Sequence, residues 1–597
     1  MDAMFVSLMG MDINKETHIS QLSQGCELWK EQIKQNMNMF KHSEIKKLYK
    51  KYAFGNIGVL YAEQLLDFLL KEQGMTELTL DYSSKLIQDF EETPLKENGC
   101  MTIVGFYNML LSPQFNIYNH EHRETIHMYM NQPLAQYYIS SSHNTYLTGH
   151  QLYGESSVDG YISALKRGCK LVELDLWDGD DGKPIIYHGH TFTTKITLEE
   201  VLTNAIKPYA FHTSPYPLIL SIENHLSIDQ QRTMVKLFQD ILGDKLETDS
   251  LPKNNKYLPS PAELKNKVII KTKKPALEEF QLENKFTKNP IKKRRPSYCN
   301  CFNKSQRQLS NPESLILSPL ISHVEHDEKC DASHPLAPEL RHVVNVCTGK
   351  SFTSFLSSFK EDDCVHFPSL REKKAKQLAT ENPDDFIKFT HCQIAKIYPN
   401  GRRTDSSNIK PYTFWAVGAQ VVSLNMQTVD KSNFYNQSLF ASNGNCGYVL
   451  KPDILRRKMP FSPTHIDDMY NKVLTVTILS GQHIPNSAKK GDIVDPYIEV
   501  KVRGLDLDKR NKRTKTVKNN KINPVWNETL KFKVKVPDLS LVYFELRDES
   551  SFASDPVLGI SCIPFNSLMQ GFRHVHLTSL NGESVGASAL FEYQFYK

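Results

Sequence analysis

The chain of 597 residues has no run of about 18 consecutive apolar residues, so no membrane-spanning helix is expected. Its first residues, MDAMFVSLMGMDINKE, carry no basic segment ahead of their short apolar run, so no secretory leader is expected either. The eleven cysteines are odd in number and form no CxxC pair, which argues against a disulfide framework and for reduced thiols. Cys299 and Cys301, the closest pair, have no histidine or second pair to complete a zinc site. A cytoplasmic or nuclear protein follows. Neither charge sign dominates: 72 Lys and Arg stand against 67 Asp and Glu, a net +5 that excludes little. No nucleic-acid partner is expected, and a monomer is.

A chain this long exceeds one hydrophobic core, and about two to four domains are expected. After a tail over 1–25, residues 26–127 show helical patterns with polar breaks, as in EIKKLYKKYAF and YAEQLLDFLLKEQ. Residues 128–274 alternate β-rich runs (AQYYIS, KLVELDLW, KPIIYHG, PLILSIENH, KVIIKTK) with helix-compatible stretches, the mark of a parallel α/β sheet or barrel. Periodicity fades over 275–338 into Lys, Asn, Ser and Pro, which reads as a disordered basic linker. Strand-like runs resume over 339–455 (HVVNV, FIKFTHCQIAKIY, GAQVVSLNMQ, CGYVLKP). Four strands before the linker and about four after it would close one split (β/α)8 barrel of the TIM type. Residues 471–597 alternate strands and turns without helix, as a β-sandwich does.

In KLVELDLWDG, Glu173 and Asp175 alternate with apolar residues, so on a strand they share one face and repel unless a proton or cation compensates. In isolation that pair is better explained as a solvated strand end with Lys or Arg partners. Neighbouring strand ends carry His143 and Asn144, then His188 and His190, then Glu223 and His225. Side chains at the C-terminal ends of barrel strands converge on one mouth. Asn144, Glu173, Asp175 and Glu223 would form an all-oxygen set suited to Ca²⁺ rather than zinc. Lys271 and Lys273 share a face of the next strand, and lysines at that mouth suit a phosphate-bearing substrate; a basic exit into the linker is the alternative. Cation, histidines and lysines together fit cleavage of a phosphodiester.

SSSHNTYL, GCKLVELDLWDG, PIIYHGHTFT, YPLILSIENH, LPSPAELKNKVIIKTKK, RTDSSN and GYVLKP, in this order, closely resemble the split catalytic barrel of eukaryotic phosphoinositide-specific phospholipase C. The resemblance extends to EF-hand-like and C2 portions on either side and is delta- or zeta-like. It implies a Ca²⁺-dependent enzyme hydrolysing phosphatidylinositol 4,5-bisphosphate to inositol trisphosphate and diacylglycerol in membranes. His143 would stabilise the pentacovalent phosphorane, and His188 would protonate the diacylglycerol oxygen. Asn144, Glu173, Asp175 and Glu223 would hold Ca²⁺, with Glu173 as base on the inositol 2-hydroxyl. Lys271, Lys273, Ser369 and Tyr398 would contact the head group. Lys396 stands where the family usually has arginine, and exchanging a bidentate fork for a point charge would alter head-group affinity more than chemistry.

The segment ahead of the barrel has room for one EF-hand pair and no PH domain. Its loop KYAFGNIGVLYAE lacks the acidic ligands of a Ca²⁺ loop, so a structural lobe is expected. In the C2-like portion Asp492, Asp495, Asp548 and Asp555 are candidates for a calcium or lipid site, with Ser550 at a position often held by a further aspartate. The linker holds eight Lys or Arg and no acid between Lys285 and Arg307. Its Lys292, Lys293, Arg294 and Arg295 would draw the chain to an anionic lipid surface, with a nuclear localisation signal or a solvated run as alternatives. A catalytically inactive phosphoinositide-binding scaffold is the rival from another class. Loss of a catalytic histidine or metal carboxylate would mark that rival, and all are present.

Overall fold

The computed structural model describes residues 42–54, 58–251, 256–275, 335–361, 363–457, 461–463, 466, 472–486, 493–550, 554–580 and 582–596. The expected tail, Asp492 and the linker residues Lys292, Lys293, Arg294 and Arg295 lie outside the described residues. Two compact units are present: Met1–Arg123 together with Asp467–Lys597, and Glu124–Ile466.

The first unit begins with α1 (Ser43–Tyr52), β1 (Leu60–Tyr61), α2 (Ala62–Lys71), α3 (Leu80–Phe90), β2 (Cys100–Met101) and α4 (Ile103–Leu111). α1 buries Ile45, Leu48 and Tyr49, spaced so that they lie on one helical face. Thr79 and Thr102 cap α3 and α4 by accepting from Tyr82 N–H and Gly105 N–H, satisfying donors that a helix start leaves orphaned. β1 and β2 pair antiparallel, Leu60 opposite Met101, and clip the helical hairpins together.

The second unit is the barrel. Its strands are β3 (Tyr137–Ile139), β4 (Leu171–Trp177), β5 (Ile185–Ile186), β6 (Ile196–Thr197), β7 (Leu218–His225), β8 (Val268–Thr272), β9 (Cys347–Thr348), β10 (Ser369–Arg371), β11 (Lys396–Tyr398), β12 (Val421–Val422) and β13 (Tyr448–Leu450). Parallel pairing runs β4-β7-β8-β9 and β10-β11-β12-β3. The single bridges Ser141–Leu171 and Thr348–His366 join the two arcs into a ring. Four staves therefore precede the linker and four follow it.

Three sequence expectations need correction. KPIIYHG is not a stave: β5 runs antiparallel to β4, because the seven residues Asp178–Pro184 allow a hairpin return but not a parallel crossover. FIKFTHCQIAKIY is mostly the helix α5 (Pro383–Cys392), started by proline at its first position with Asp384 and Asp385 in its first turn; only Lys396–Tyr398 is strand. CGYVLKP supplies β13, which lies antiparallel against β3 outside the ring.

Along the staves the inner face changes character with a period of two. Ile139, Leu171, Ile219, Ile269, Cys347, Phe367, Ile394 and Val421, each from or just before a stave, lie in one buried cluster. Two residues further on stand Ser141, Glu173, Ser221, Lys271, Gly349, Ser369, Lys396 and Ser423. Another step gives His143, Asp175, Glu223, Arg371, Tyr398 and Asn425. Each fully buried aliphatic contributes about 1.5–3 kcal/mol. The apolar lower layer thus holds a polar upper one in place.

The chain then returns to the first unit with β14 (Lys472–Gln482), β15 (Pro496–Arg503), β16 (Arg510–Arg513), β17 (Val525–Val534), β18 (Leu541–Asp548), β19 (Val557–Pro564), β20 (Gly571–Thr578) and β21 (Ser584–Tyr596). All pairings are antiparallel in the order β16-β15-β18-β19-β20-β21-β14-β17. β19 and β20 share one residue pair, Ile560 and Thr578, so the ladder divides there into the two sheets of a sandwich. The helical lobe is bonded to it: Gln73 Nε2 donates to Phe572 O at 3.0 Å, and Leu479 of β14 sits in the lobe's own core.

Candidate active site

The upper layer surrounds a cavity of about 290 Å³. His143, Asn144, Glu173, Asp175, His188, Glu223, Lys271, Ser369, Lys396 and Tyr398 all line it. Lys273, just past the end of β8, is exposed and outside its wall.

Glu173, Asp175 and Glu223 each bring a carboxylate oxygen within 4.8 Å of the others, and among the described residues no other such group of three exists. Tyr146 OH donates to Asp175 Oδ2 at 2.5 Å, while Asp175 Oδ1 is buried without a hydrogen-bond partner. Burial, with the charges of Glu223 and Glu173 beside it, pushes the Asp175 carboxyl well above its ordinary range. Burial works the same way on Glu173, but Lys396 and His143 outweigh it and hold that carboxyl low. Glu223, half exposed at the mouth, is held at about 2: burial opposes its ionisation, and the bond from His225 and the charges of Lys396 and His188 prevail. Three carboxylates this close cannot all carry charge without a cation, and the set with its orphaned buried oxygen fits a divalent one.

Asn144 sits in left-handed backbone, φ 39°, a conformation that asparagine tolerates better than most residues. Its N–H donates to Glu173 Oε2 at 3.1 Å, and its Nδ2 donates to Gln151 Oε1 at 2.8 Å. This turn places His143 and Asn144 on the same mouth as the carboxylates.

Both histidines have fixed tautomers. His188 Nδ1–H donates to the Gln151 carbonyl at 2.7 Å. His143 Nδ1–H donates to Asn425 Oδ1 at 3.0 Å; Asn425 is oriented in turn because its Nδ2 donates to Ser407 O and its Oδ1 accepts from Gln151 Nε2. Nε2 of each ring is left for other chemistry. Burial lowers the His143 pKa, against the pull of Glu173. Tyr398 stacks parallel to His143 at 6.0 Å between centroids.

Among the cations, Lys271 Nζ donates to Ser369 Oγ at 2.9 Å, and burial beside Lys396 pushes its pKa down to about 8. Lys396, 3% exposed, lines the cavity and forms an ion pair with Glu173.

Residues that sequence reasoning passed over complete the site. Asn425 and Gln151 orient the histidines and Tyr146 binds Asp175; His225, which the sequence had already placed at this strand end, bonds to Glu223 at 3.1 Å while stacking on Trp177 at 4.0 Å. Gly189 is confined by the same indole: a Cβ there would lie 2.0 Å from Trp177 Cζ2, so only glycine brings the His188 loop this close. The two-residue alternation, extended one step along each strand, was the signal for Asn425 and for Arg371, which also lines the cavity.

In the first unit the C2-type aspartates are engaged within the protein. Asp548 Oδ1 accepts from Asp495 N–H at 2.8 Å, Asp555 Oδ2 accepts from Tyr497 OH at 2.6 Å, and Lys518 Nζ lies 3.1 Å from Asp495 and 2.7 Å from Glu549.

Residues 130–274 and 340–454 match the X and Y domains of phosphatidylinositol-specific phospholipase C, 37–120 match that family's efhand-like domain, and 472–580 match a C2 domain. The chain belongs to the phosphoinositide-specific phospholipase C family. Within it, the chain is 38% identical over 536 residues to 1-phosphatidylinositol 4,5-bisphosphate phosphodiesterase delta-4 of Xenopus laevis, covering 88% of this chain and 68% of that one. It is 37% identical over 589 residues to inactive phospholipase C-like protein 2 of Mus musculus, covering 97% of this chain and 50% of that one. The chain thus spans half the length of that relative. The crystal structure of L. pealei PLC21 superimposes with a TM-score of 0.76 at 30% identity, covering 93% of this chain and 69% of that one. No helix among the described residues is long and apolar enough to cross a membrane.

Proposed function

We propose that this chain is a Ca²⁺-dependent phospholipase C that hydrolyses phosphatidylinositol 4,5-bisphosphate to inositol 1,4,5-trisphosphate and diacylglycerol. The observation that carries this is the carboxylate trio with its orphaned Asp175 oxygen, set between two histidines of fixed tautomer. Ca²⁺, held by Asn144, Glu173, Asp175 and Glu223, would supply charge neutralisation and acidify a nearby hydroxyl.

Lys396 keeps Glu173 ionised, as a base must be to take the proton of the inositol 2-hydroxyl. The freed oxygen attacks the adjacent phosphorus. His143, aimed by Asn425, donates to the phosphorane oxygens, and His188, aimed by the Gln151 carbonyl, protonates the departing diacylglycerol oxygen. Water then opens the cyclic phosphodiester: His188, having lost its proton to the diacylglycerol oxygen, takes one from the attacking water, and Glu173 returns its proton to the departing inositol 2-oxygen, which restores both groups. Ser369 and Lys271 take the inositol ring. A C2 domain and the basic linker run Lys292 to Arg295 would hold the chain at an anionic lipid surface as a peripheral cytoplasmic monomer.

One observation favours the scaffold reading: the Lys396 ammonium already neutralises one of the three carboxylates. Wild type and Asp175→Asn, assayed side by side for hydrolysis and for vesicle binding, separate the two. The enzyme reading expects turnover in the wild type that falls at least 100-fold in Asp175→Asn while vesicle binding is kept. A wild type that binds vesicles without turnover makes the protein a scaffold.

A further inference from the structure

Beside the active-site cavity lies a second hollow of about 380 Å³, lined by Glu372, Lys373, Lys376, Asn400, Arg402 and Arg403. Asn400 and Arg403 belong to the walls of both, so the two adjoin at the mouth. A fixed network supports the hollow. Arg403 grips Glu372 through Nε at 2.8 Å and Nη2 at 2.7 Å and donates from Nη1 to Ser407 Oγ at 3.2 Å, while Glu372 Oε2 also accepts from Asn400 N–H at 3.3 Å. These bonds pin the loop after β11 to the start of the helix Glu372–Glu381. Lys373 and Lys376 are exposed and stand three residues apart on that helix, hence on one face. Burial opposes ionisation of Glu372, but the bonds and charge of Arg403, the Asn400 N–H and the charge of Lys376 hold its carboxyl below the ordinary range, so Lys376 acts on the same spot as Arg403. The lining carries four positive side chains against one negative, and that one is already paired with Arg403. Asp405 and Asp430 also act on Arg403 but are not part of the lining.

We propose that this hollow is a second, non-catalytic binding site for the phosphomonoester of an anionic lipid, held by Lys373 and Lys376 while the adjoining cavity takes the lipid to be cleaved. This rests on the function proposed above. A phosphomonoester carries about −1.5 to −2 charge and three acceptor oxygens, which suits a concave set of cations better than a phosphodiester does. The rest of the rim favours a lipid-borne phosphate over a soluble one. Phe192 and Tyr153, 71% and 67% exposed, stand on the loops that carry His188 and Gln151, and Phe192 N–H donates to Leu152 O at 2.9 Å, which holds the two loops together. Exposed rings and lysines around one mouth make a surface suited to an anionic bilayer. Lipid held there would turn the mouth toward the membrane and concentrate the enzyme on it.

The full chain is compared with the double variant Lys373→Ala, Lys376→Ala and with a control of equal charge loss, Lys236→Ala, Lys265→Ala, which removes two exposed lysines elsewhere on the barrel. Binding is measured in EGTA to phosphatidylcholine vesicles containing phosphatidic acid or, at matched surface charge, phosphatidylserine. The Lys373, Lys376 variant should bind phosphatidic acid vesicles about 30-fold more weakly, at about fivefold per lysine, and lose much less on phosphatidylserine. The control should stay within about twofold, because distant exposed charges are screened. Equal losses in the two double variants, or equal losses on the two lipids, would overturn the proposal. Calorimetry with soluble inositol 1-phosphate separates the sources of phosphate: a binding heat present in wild type and lost in the Lys373, Lys376 variant would assign the hollow to a soluble anion and overturn the lipid assignment. Vesicle binding needs no turnover. A wild type that binds and does not hydrolyse defeats the enzyme reading alone, while equal phosphatidic acid binding by wild type and the Lys373, Lys376 variant defeats this one.

Discussion

Replacing Lys396 by methionine tests the electrostatics of the site. The Lys396 and Glu173 side chains are 3% and 8% exposed, and each neutralises the other inside the barrel. Methionine preserves the stem and removes the charge, leaving a buried carboxylate beside Asp175 and Glu223 with no ammonium to offset them. Breaking one side of a buried pair costs about 3–5 kcal/mol. At about 2–4 °C per kcal/mol, the barrel's melting transition in EGTA should drop by about 6–20 °C. Ca²⁺ at 100 times its dissociation constant should return about 2.7 kcal/mol, and the variant should gain more from Ca²⁺ than the wild type because no tethered cation competes. The pH dependence has a definite sign. Glu173 is held below its ordinary value of 4.5, so the pair stabilises the fold above that value and its contribution fades as pH falls through the lowered one. The gap between variant and wild type should therefore narrow in acid. Differential scanning fluorimetry in EGTA and in Ca²⁺, from pH 8 down to about pH 2.5, reads all three effects. Equal melting temperatures for wild type and Lys396→Met in EGTA would refute the reasoning.

Other perturbations address separate parts of the molecule. His143→Ala should abolish hydrolysis with the barrel still folded by circular dichroism; wild-type turnover would remove His143 from the chemistry. His225→Ala frees Glu223 from its orienting bond and should raise the Ca²⁺ or Tb³⁺ concentration for half-saturation about 10- to 100-fold, read by Tb³⁺ luminescence sensitised through Trp177; an unchanged titration would make His225 a packing residue. In the first unit, burial and the nearby His576 and His42 hold His574 down to about 3, and neither ring nitrogen has a hydrogen-bond partner. The unfolded chain binds a proton there below about pH 6.5 and the folded one does not, so stability should fall by about 1.4 kcal/mol per pH unit between pH 6.5 and 3. His574→Gln should flatten that limb in urea titrations, and an unaltered slope would contradict the assignment.

Much of the barrel was legible because its code is local. Glu173 and Asp175 alternate within one strand, and Lys271 repeats the pattern on another, so both could be placed on an inner face without knowing the neighbours. KPIIYHG misled because two isoleucines beside a tyrosine look alike in a stave and in a hairpin arm; the short connection to Trp177 was the discriminating feature. In FIKFTHCQIAKIY the helix start was written in Asn382, Pro383, Asp384 and Asp385, just ahead of the apolar run. β10 is only three residues long, so its alternation amounts to the single step from Ser369 to Arg371, and Arg371 went unnoticed. The Lys396 pairing lies beyond any local pattern, since Glu173 is 223 residues away and only ring closure brings them together. The bonding of the helical lobe to the C2 strands is of the same kind.

The most direct measurement is release of soluble inositol trisphosphate from vesicles containing phosphatidylinositol 4,5-bisphosphate as free Ca²⁺ is raised from EGTA-buffered levels. The expected result is no release in EGTA and a saturable rise with Ca²⁺ that disappears in His143→Ala. Release that is independent of Ca²⁺, or none at any Ca²⁺ concentration from protein that binds the vesicles, would contradict the assignment of the carboxylate trio as the metal site of a working phospholipase C.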